Sequence, residues 1–361
     1  MILSSMPGHN VQVSDYRLDR DMINQKWIQD LIRVLSTNVI KPLFSIVEKL
    51  HLTILRLYKD LCLIKFLPRW VSQLVYLSLI FIVSIGLTAG TVKSPIVKIP
   101  IFGFHDIIDL QNKADLPPYR PLSDMDYTKQ DLEKVVDYLI QKNYWFLSSQ
   151  DLFLYFINKS QPIPTEHIGQ KPVMLTFDDG YKGVHKNGMP ILKRIEEKYG
   201  EKVKFVLFIN PHTLGVDNGK DLPHLSCDDL REGYQQDFYD IQSHGFSHKN
   251  LTQVNSKELD LELYFGKLAL RKCTNDLDRN KIVAAHIAYP YGATSKNVET
   301  KLPKYHLTGF IYDDKFLKVN YLRNKFRISR ITVSSRTSPY KLIRLASQAS
   351  TLKKISKSKN I

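Results

Sequence analysis

This sequence predicts an α/β fold, a barrel or a variant of one. Two observations support it. Short runs with strand chemistry alternate with amphipathic helical patterns over about 260 residues. Several of the runs stop abruptly at polar or acidic residues, at the strand ends where α/β folds place their chemistry. No internal repeat is visible in the chain.

The elements follow in order. Residues 1–20 are polar, with Pro7, Gly8 and mixed charges, a composition that favours disorder. From Trp27 to Leu67 apolar residues recur at helical spacing (Trp27, Ile28, Leu31, Ile32, Leu35, then Leu43, Phe44, Val47, Leu50), and Pro42 divides the run. Lys and Arg are interleaved, so these amphipathic helices lie on a membrane surface or pack on themselves or a partner. Trp70–Val92 then carries no charge over 23 residues, between Arg69 and Lys93. As a helix it is about 35 Å long, enough to cross the hydrocarbon core, with Trp70 and Tyr76 suited to the headgroup level. Arg56, Lys59, Lys65 and Arg69 precede it, against Lys93 and Lys98 after it, which places the N-terminus in the cytoplasm and the bulk of the chain outside. The expected organisation is a cytoplasmic region over 1–69, a single-pass membrane helix over 70–92, a tether over 93–98, a folded domain over 99–348 and a basic tail over 349–361.

Within the domain, Ile99–Phe104 reads as a strand ending in His105-Asp106, and Gln111–Asp126 as an extended loop with Pro117, Pro118 and Pro121. Thr128 caps a helix whose Leu132, Val135, Val136, Leu139 and Ile140 share one face. A second helix is expected near Ser149–Asn158. Strands are expected at Val173–Phe177, Val203–Ile209, Asp240–Ser243, Ile282–Tyr289, Thr308–Tyr312 and Ile328–Val333. Helices are expected at Pro190–Tyr199, with Gly200 as C-cap, at Ser256–Lys272 and at Pro339–Ser347.

Hydrophobic residues at 43% and charged residues at 24% are ordinary for a chain that buries a core. The net charge of +15 is not. The basic residues are scattered, without zinc-finger spacing or an RNA-binding aromatic motif, so no nucleic-acid partner is expected and an anionic membrane surface fits better. Cys62, Cys227 and Cys273 form no C-x-x-C motif; Cys227 and Cys273 pair if their compartment is oxidising and are buried thiols otherwise.

Two motifs carry chemistry. V-M-L-T-F-D-D-G at Val173–Gly180 is a strand ending in two carboxylates and a glycine; alone it is a turn or a site. H-G-F-S-H at His244–His248 spaces two imidazoles so that both reach one metal ion. With the paired carboxylates the better reading is a metal site, since two nitrogens and one carboxylate oxygen leave open positions on a divalent ion for hydrolysis. A-Y-P-Y-G at Ala288–Gly292 is a third strand-end turn, able to offer a backbone N–H and an aromatic wall.

In order and spacing these three segments resemble the motifs of the polysaccharide deacetylases with the NodB-homology domain, carbohydrate esterase family four. The likeness covers roughly Ile99–Val333. The opening I-F-G-F-H-D at Ile101–Asp106 looks most like the poly-β-1,6-N-acetylglucosamine deacetylase subgroup. The resemblance implies a distorted (β/α) barrel and metal-dependent removal of acetyl groups from an N-acetylated polysaccharide. It implies Asp178 as general base, Asp179, His244 and His248 as metal ligands, and His105 as the acid for the departing amine. Phe177, Pro290 and Tyr291 are implied substrate neighbours, with the Tyr291 N–H facing the oxyanion. Zinc is the expected ion, with cobalt, nickel or iron also suited to this donor set. Two departures stand out: Ala288 occupies the place where the chitin and peptidoglycan branch has an arginine positioning the catalytic Asp, and no late Leu-x-His motif follows. Arg330, in R-I-S-R-I-T-V, is assigned nothing beyond an ion pair. The alternatives are a deacetylase of another acylated glycan or amide, and a catalytically silent anchored carbohydrate-binding protein. A polysaccharide synthase or export complex is a conceivable partner of the N-terminal helices.

Overall fold

Seven parallel strands close a ring in the order in which the chain makes them. In the computed structural model, which describes residues 96–217 and 222–353, they are β1 (Ile101–Phe104), β2 (Lys171–Phe177), β3 (Phe205–Ile209), β4 (Tyr239–Ser243), β5 (Ile287–Ala288), β6 (Gly309–Tyr312) and β7 (Ile328–Thr332). Each pairs with the next, and β7 returns to β1 through Ile331↔Phe102 and Thr332↔Gly103. The barrel is distorted because its strands are unequal. β5 has two residues, and a single register pair, Ser243↔Ile287, joins it to β4. The segment expected as a strand over Ile282–Tyr289 is mostly loop. Lys281 and Ala284 take left-handed backbone conformations (φ 54° and 52°) that no strand continues through.

The helices form where the periodicity and caps require them. In α1 (Lys129–Gln141) the Thr128 hydroxyl accepts from the Asp131 N–H, and Leu132, Val135, Val136, Leu139 and Ile140 are buried. α2 (Met189–Tyr199) ends at Gly200 with φ 70°. α3 (Cys227–Gln235), not foreseen from the sequence, is capped by Ser226 and Asp229 in a reciprocal box. α4 (Ser256–Cys273) follows β4, α5 (Lys296–Lys301) follows β5, and α6 (Pro339–Ala346) closes the domain. Ser149–Asp151 starts as α-helix and widens into a π-turn over Leu152–Ile157. A disulfide, Cys227–Cys273, links the start of α3 to the end of α4.

Strand alternation separates two of the three buried clusters. Phe104, Phe177 and Phe205 pack with the faces of α1 and α2, while Ile101, Met174, Val206, Phe208, Phe310 and Ile328 form a second cluster. The packed residues run beyond the expected 99–348. Lys98–Ile99 pairs antiparallel with Leu317–Lys318, and Ala349 and Leu352 are buried. The expected cytoplasmic region, membrane helix and half of the tether, and the end of the basic tail, lie outside the described residues. Among the described residues no helix is long and apolar enough to cross a membrane.

Candidate active site

The site residues stand at the C-terminal ends of the ring strands. His105 follows β1, Asp178 and Asp179 follow β2, His244 follows β4, and Tyr312 ends β6. The backbone is driven into unusual conformations here. Asp179, His248 and Tyr291 are all non-glycine residues at positive φ (69°, 58° and 60°). Each costs on the order of 1 kcal/mol or more, a strain that persists where surrounding structure enforces it and that gathers at functional sites. Gly180, at φ 76°, completes the turn after the paired carboxylates.

Asp179, His244 and His248 come together. Asp179 Oδ1 lies 3.4 Å from His244 Nε2 and 3.2 Å from His248 Nε2, and one donor atom from each residue falls within 4.8 Å of the others. Asp179 Oδ1 is buried without a hydrogen-bond partner among the described residues, as expected of an atom meant for a cation. The His244 ring is oriented from behind: its Nδ1 is 2.8 Å from the Ala288 carbonyl oxygen, leaving Nε2 toward Asp179. One oxygen and two imidazole nitrogens are a donor set for a divalent ion such as zinc, and the residues fit one. Burial opposes ionisation of Asp179, but the two imidazoles outweigh it and hold its carboxyl well below the usual range.

The loop between the two histidines is held by α4. Glu262, 5% exposed, accepts from the N–H groups of Phe246 and Ser247, both at 2.9 Å, and from the Ser247 hydroxyl. Gly266 packs so closely that a Cβ there would lie 2.7 Å from the Gly245 carbonyl oxygen. His248 carries the Tyr291 ring at 4.6 Å, and Tyr291 itself is 69% exposed.

Asp178 is gripped rather than left open. Arg330 donates Nη1 to Oδ1 at 2.6 Å and Nη2 to Oδ2 at 2.8 Å, and Tyr312 donates its hydroxyl to Oδ2 at 3.1 Å. Arg330 also donates to Thr176 Oγ1, which donates onward to the Phe102 carbonyl. Tyr312 and Arg330 are register partners on β6 and β7, and the guanidinium lies 4.0 Å from the Tyr312 ring centroid. That ring fits because Gly103 has no side chain: a Cβ there would be 2.4 Å from the Tyr312 hydroxyl. Burial pushes the Asp178 pKa up, but Arg330 and then His244 outweigh it, so it stays below the usual range.

His105 stands close enough for Asp178 and Asp179 to act on it, with its Nδ1 buried and unpartnered among the described residues. Burial is the largest influence and lowers its pKa, against the pull of both carboxylates. The turn that carries it is fixed by Asp106, which shares Arg120 with Asp126 through contacts of 2.7–2.8 Å. Gly183 passes so close that a Cβ would meet Asp106 Oδ1 at 2.2 Å.

One expectation is corrected. Phe177 is 1% exposed and packed between Phe104 and Phe205, with ring centroids at 5.1 and 4.4 Å. Strand alternation sends it to the core face while its neighbours Thr176 and Asp178 meet Arg330, so it does not face substrate. Pro290 is buried as well, backing the turn near Gly245. Arg330, given an ion pair by the sequence, makes one, and its partner is Asp178.

Residues 166–310 match the family described as polysaccharide deacetylase. A curated relative from Staphylococcus aureus, named poly-β-1,6-N-acetyl-D-glucosamine N-deacetylase, is 27% identical over 210 residues, covering 57% of this chain and 67% of its own length. A polysaccharide deacetylase structure from Bacillus cereus superposes with a TM-score of 0.56 at 19% identity, over 70% of this chain and 69% of that one. A Streptococcus pyogenes deacetylase solved with acetate gives 0.55 at 20% identity, over 69% and 98%. The fold is therefore the deacetylase barrel. Residues 166–310 are thus a polysaccharide deacetylase domain, and the curated relative is an N-deacetylase by name. The matched span holds the Asp-Asp, the two histidines and Tyr291, and leaves out both His105 and Arg330.

Proposed function

We propose that the protein is a membrane-anchored hydrolase that removes N-acetyl groups from an N-acetylglucosamine polysaccharide at the cell surface. The observation that carries this is a clamped, ionised Asp178 set beside the Asp179–His244–His248 donor set, with Asp178 Oδ2 3.9 Å from His244 Nε2. A divalent ion held by those three residues, zinc by preference, supplies Lewis-acid polarisation of the acetamide and a more acidic water. Asp178 is the base. A carboxylate offers about four lone-pair directions; Arg330 and Tyr312 take three, leaving one on Oδ1 to accept a proton from water. His105 gives the departing amine its proton. The backbone N–H of Tyr291, in its left-handed turn, is assigned to the oxyanion.

The name borne by the Staphylococcus aureus relative supports a β-1,6-linked glycan. The Cys227–Cys273 disulfide supports an oxidising compartment, in keeping with Trp70–Val92 as an anchor and the domain outside the cytoplasm. The test is acetate release by the full-length protein in detergent, loaded with zinc, cobalt or nickel, from poly-β-1,6-N-acetylglucosamine and from chitin oligomers. Chelator-sensitive release from the first alone is expected. Release from neither by folded, metal-loaded protein would overturn the reading.

A further inference from the structure

One face of α4 is buried through Leu259, Glu262, Leu263, Gly266 and Leu270. A second apolar row stays in solvent: Leu261, Tyr264, Phe265 and Leu268 are 44, 49, 42 and 47% exposed. Spacings of three, four and seven put these four on one stripe, where a surface helix ordinarily turns polar residues outward. Contiguous exposed apolar patches of this kind mark binding sites.

The stripe is continuous with the site. The Tyr264 and Phe265 rings are 5.4 Å apart, Phe265 is 6.2 Å from Phe246, and Phe246 is 5.6 Å from the exposed ring of His212. Phe246 lies in the loop between His244 and His248. The His212 N–H donates to the Phe246 carbonyl at 3.1 Å, and Glu262 and Gly266 of α4 fix the same loop from the other side. The row of rings therefore keeps a fixed register to the donor set.

We propose that Tyr264, Phe265, Phe246 and His212 form a glycan-binding strip along which the polysaccharide leaves the site. The inference rests on the reading of the protein as a polymer deacetylase. Such a substrate extends far beyond one acetamide and must cross the surface next to the site. Pyranose rings present a face of axial C–H groups that stacks on aromatic faces, and the ring nitrogens of His212 suit hydroxyl groups. Continuity with the histidine loop favours a glycan over a bilayer, because a membrane seated on Phe246 would cover the loop that carries His244 and His248.

The test compares full-length parent with Tyr264→Ala/Phe265→Ala, using long poly-β-1,6-N-acetylglucosamine and a trimer of the same linkage. Both side chains are about half exposed, and a melting curve checks the fold. The ratio of kcat/KM for polymer over trimer is expected to fall about tenfold, through KM, and to return in Tyr264→Phe/Phe265→Tyr. Affinity electrophoresis in gels holding the polymer should show parent retarded and the alanine variant not. Unchanged ratio and retardation overturn the strip while leaving the deacetylase reading intact. A parent that is retarded but releases no acetate keeps the strip and removes the proposed reaction.

Discussion

Arg330 crosses from the last strand of the ring to take both oxygens of Asp178, 152 residues earlier in the chain, with both side chains withdrawn from solvent. A pair of buried charges of this kind is costly to break because the survivor has neither partner nor water. Arg330→Met should therefore cost about 3–5 kcal/mol in urea unfolding. Adding Asp178→Asn should recover much of that loss, since no charge is then left buried. Additive losses in the double variant would contradict the clamp.

Asp178→Asn alone should leave the bound metal content intact and lower acetate release on the order of 10²–10⁴-fold, the usual worth of a positioned base. Because Arg330 holds the Asp178 carboxyl below the usual carboxylate range, it is ionised across the neutral range. Its protonation should put no break in the pH–rate profile between pH 5 and 8.

His244→Ala should lose both metal and turnover, because it removes one of three ligands and the Ala288-oriented ring. Metal analysis of dialysed protein is the check. A metal-free His244→Ala protein that still released acetate would sink the ligand assignment.

Gly183→Ala probes the support beneath His105. The added methyl would meet Asp106 Oδ1 at 2.2 Å and the Ile107 carbonyl oxygen at 2.3 Å, although the backbone conformation suits alanine. Overpacking of this sort costs about 1–3 kcal/mol, and displacement of the Asp106–Arg120 contact should lower kcat beyond what lost stability explains. Normal kcat in folded Gly183→Ala would separate His105 from this support.

His286 predicts an acid-side loss of stability. Burial, with help from Lys267 and Lys325, pushes its pKa down to about 3. Nδ1 contacts Thr308 Oγ1 at 2.7 Å and Nε2 has no partner among the described residues. A folded pKa below the unfolded value means that the unfolded chain binds the proton first. Stability is then full above about pH 6.5 and falls as pH drops toward 3, by about 1.4 kcal/mol at pH 5.5. His286→Asn, which can keep the Thr308 contact, should flatten unfolding free energy between pH 7 and 5.5. An unchanged slope would assign that loss to other groups.

Much of this was legible in the sequence, for identifiable reasons. Thr128, Gly200 and the helical stripe of α1 are local signals, and the structure follows them. The Asp-Asp and His-x3-His segments are short enough for spacing alone to bring their side chains near one ion. Arg330 was not readable as a partner of Asp178, because that contact depends on ring closure. Its one clue is a charge among the apolar residues of R-I-S-R-I-T-V, with nothing local to satisfy it. Glu262 gave a similar clue, since it sits in the buried stripe between Leu259 and Leu263. Phe177 misled for the opposite reason: adjacency in sequence to Asp178 is opposition across a strand.

The return of β7 to β1 also sets a timetable. Domains emerge N-terminal end first during synthesis, so Asp178, Asp179, His244 and His248 all leave the ribosome before Arg330 does. Until the final strand arrives, the base has no cation to hold it and the ring has an open edge between β1 and β6. A nascent or C-terminally truncated chain would carry Asp179, His244 and His248 yet leave Asp178 without its guanidinium, so under the proposed function hydrolytic competence comes only when the barrel is finished.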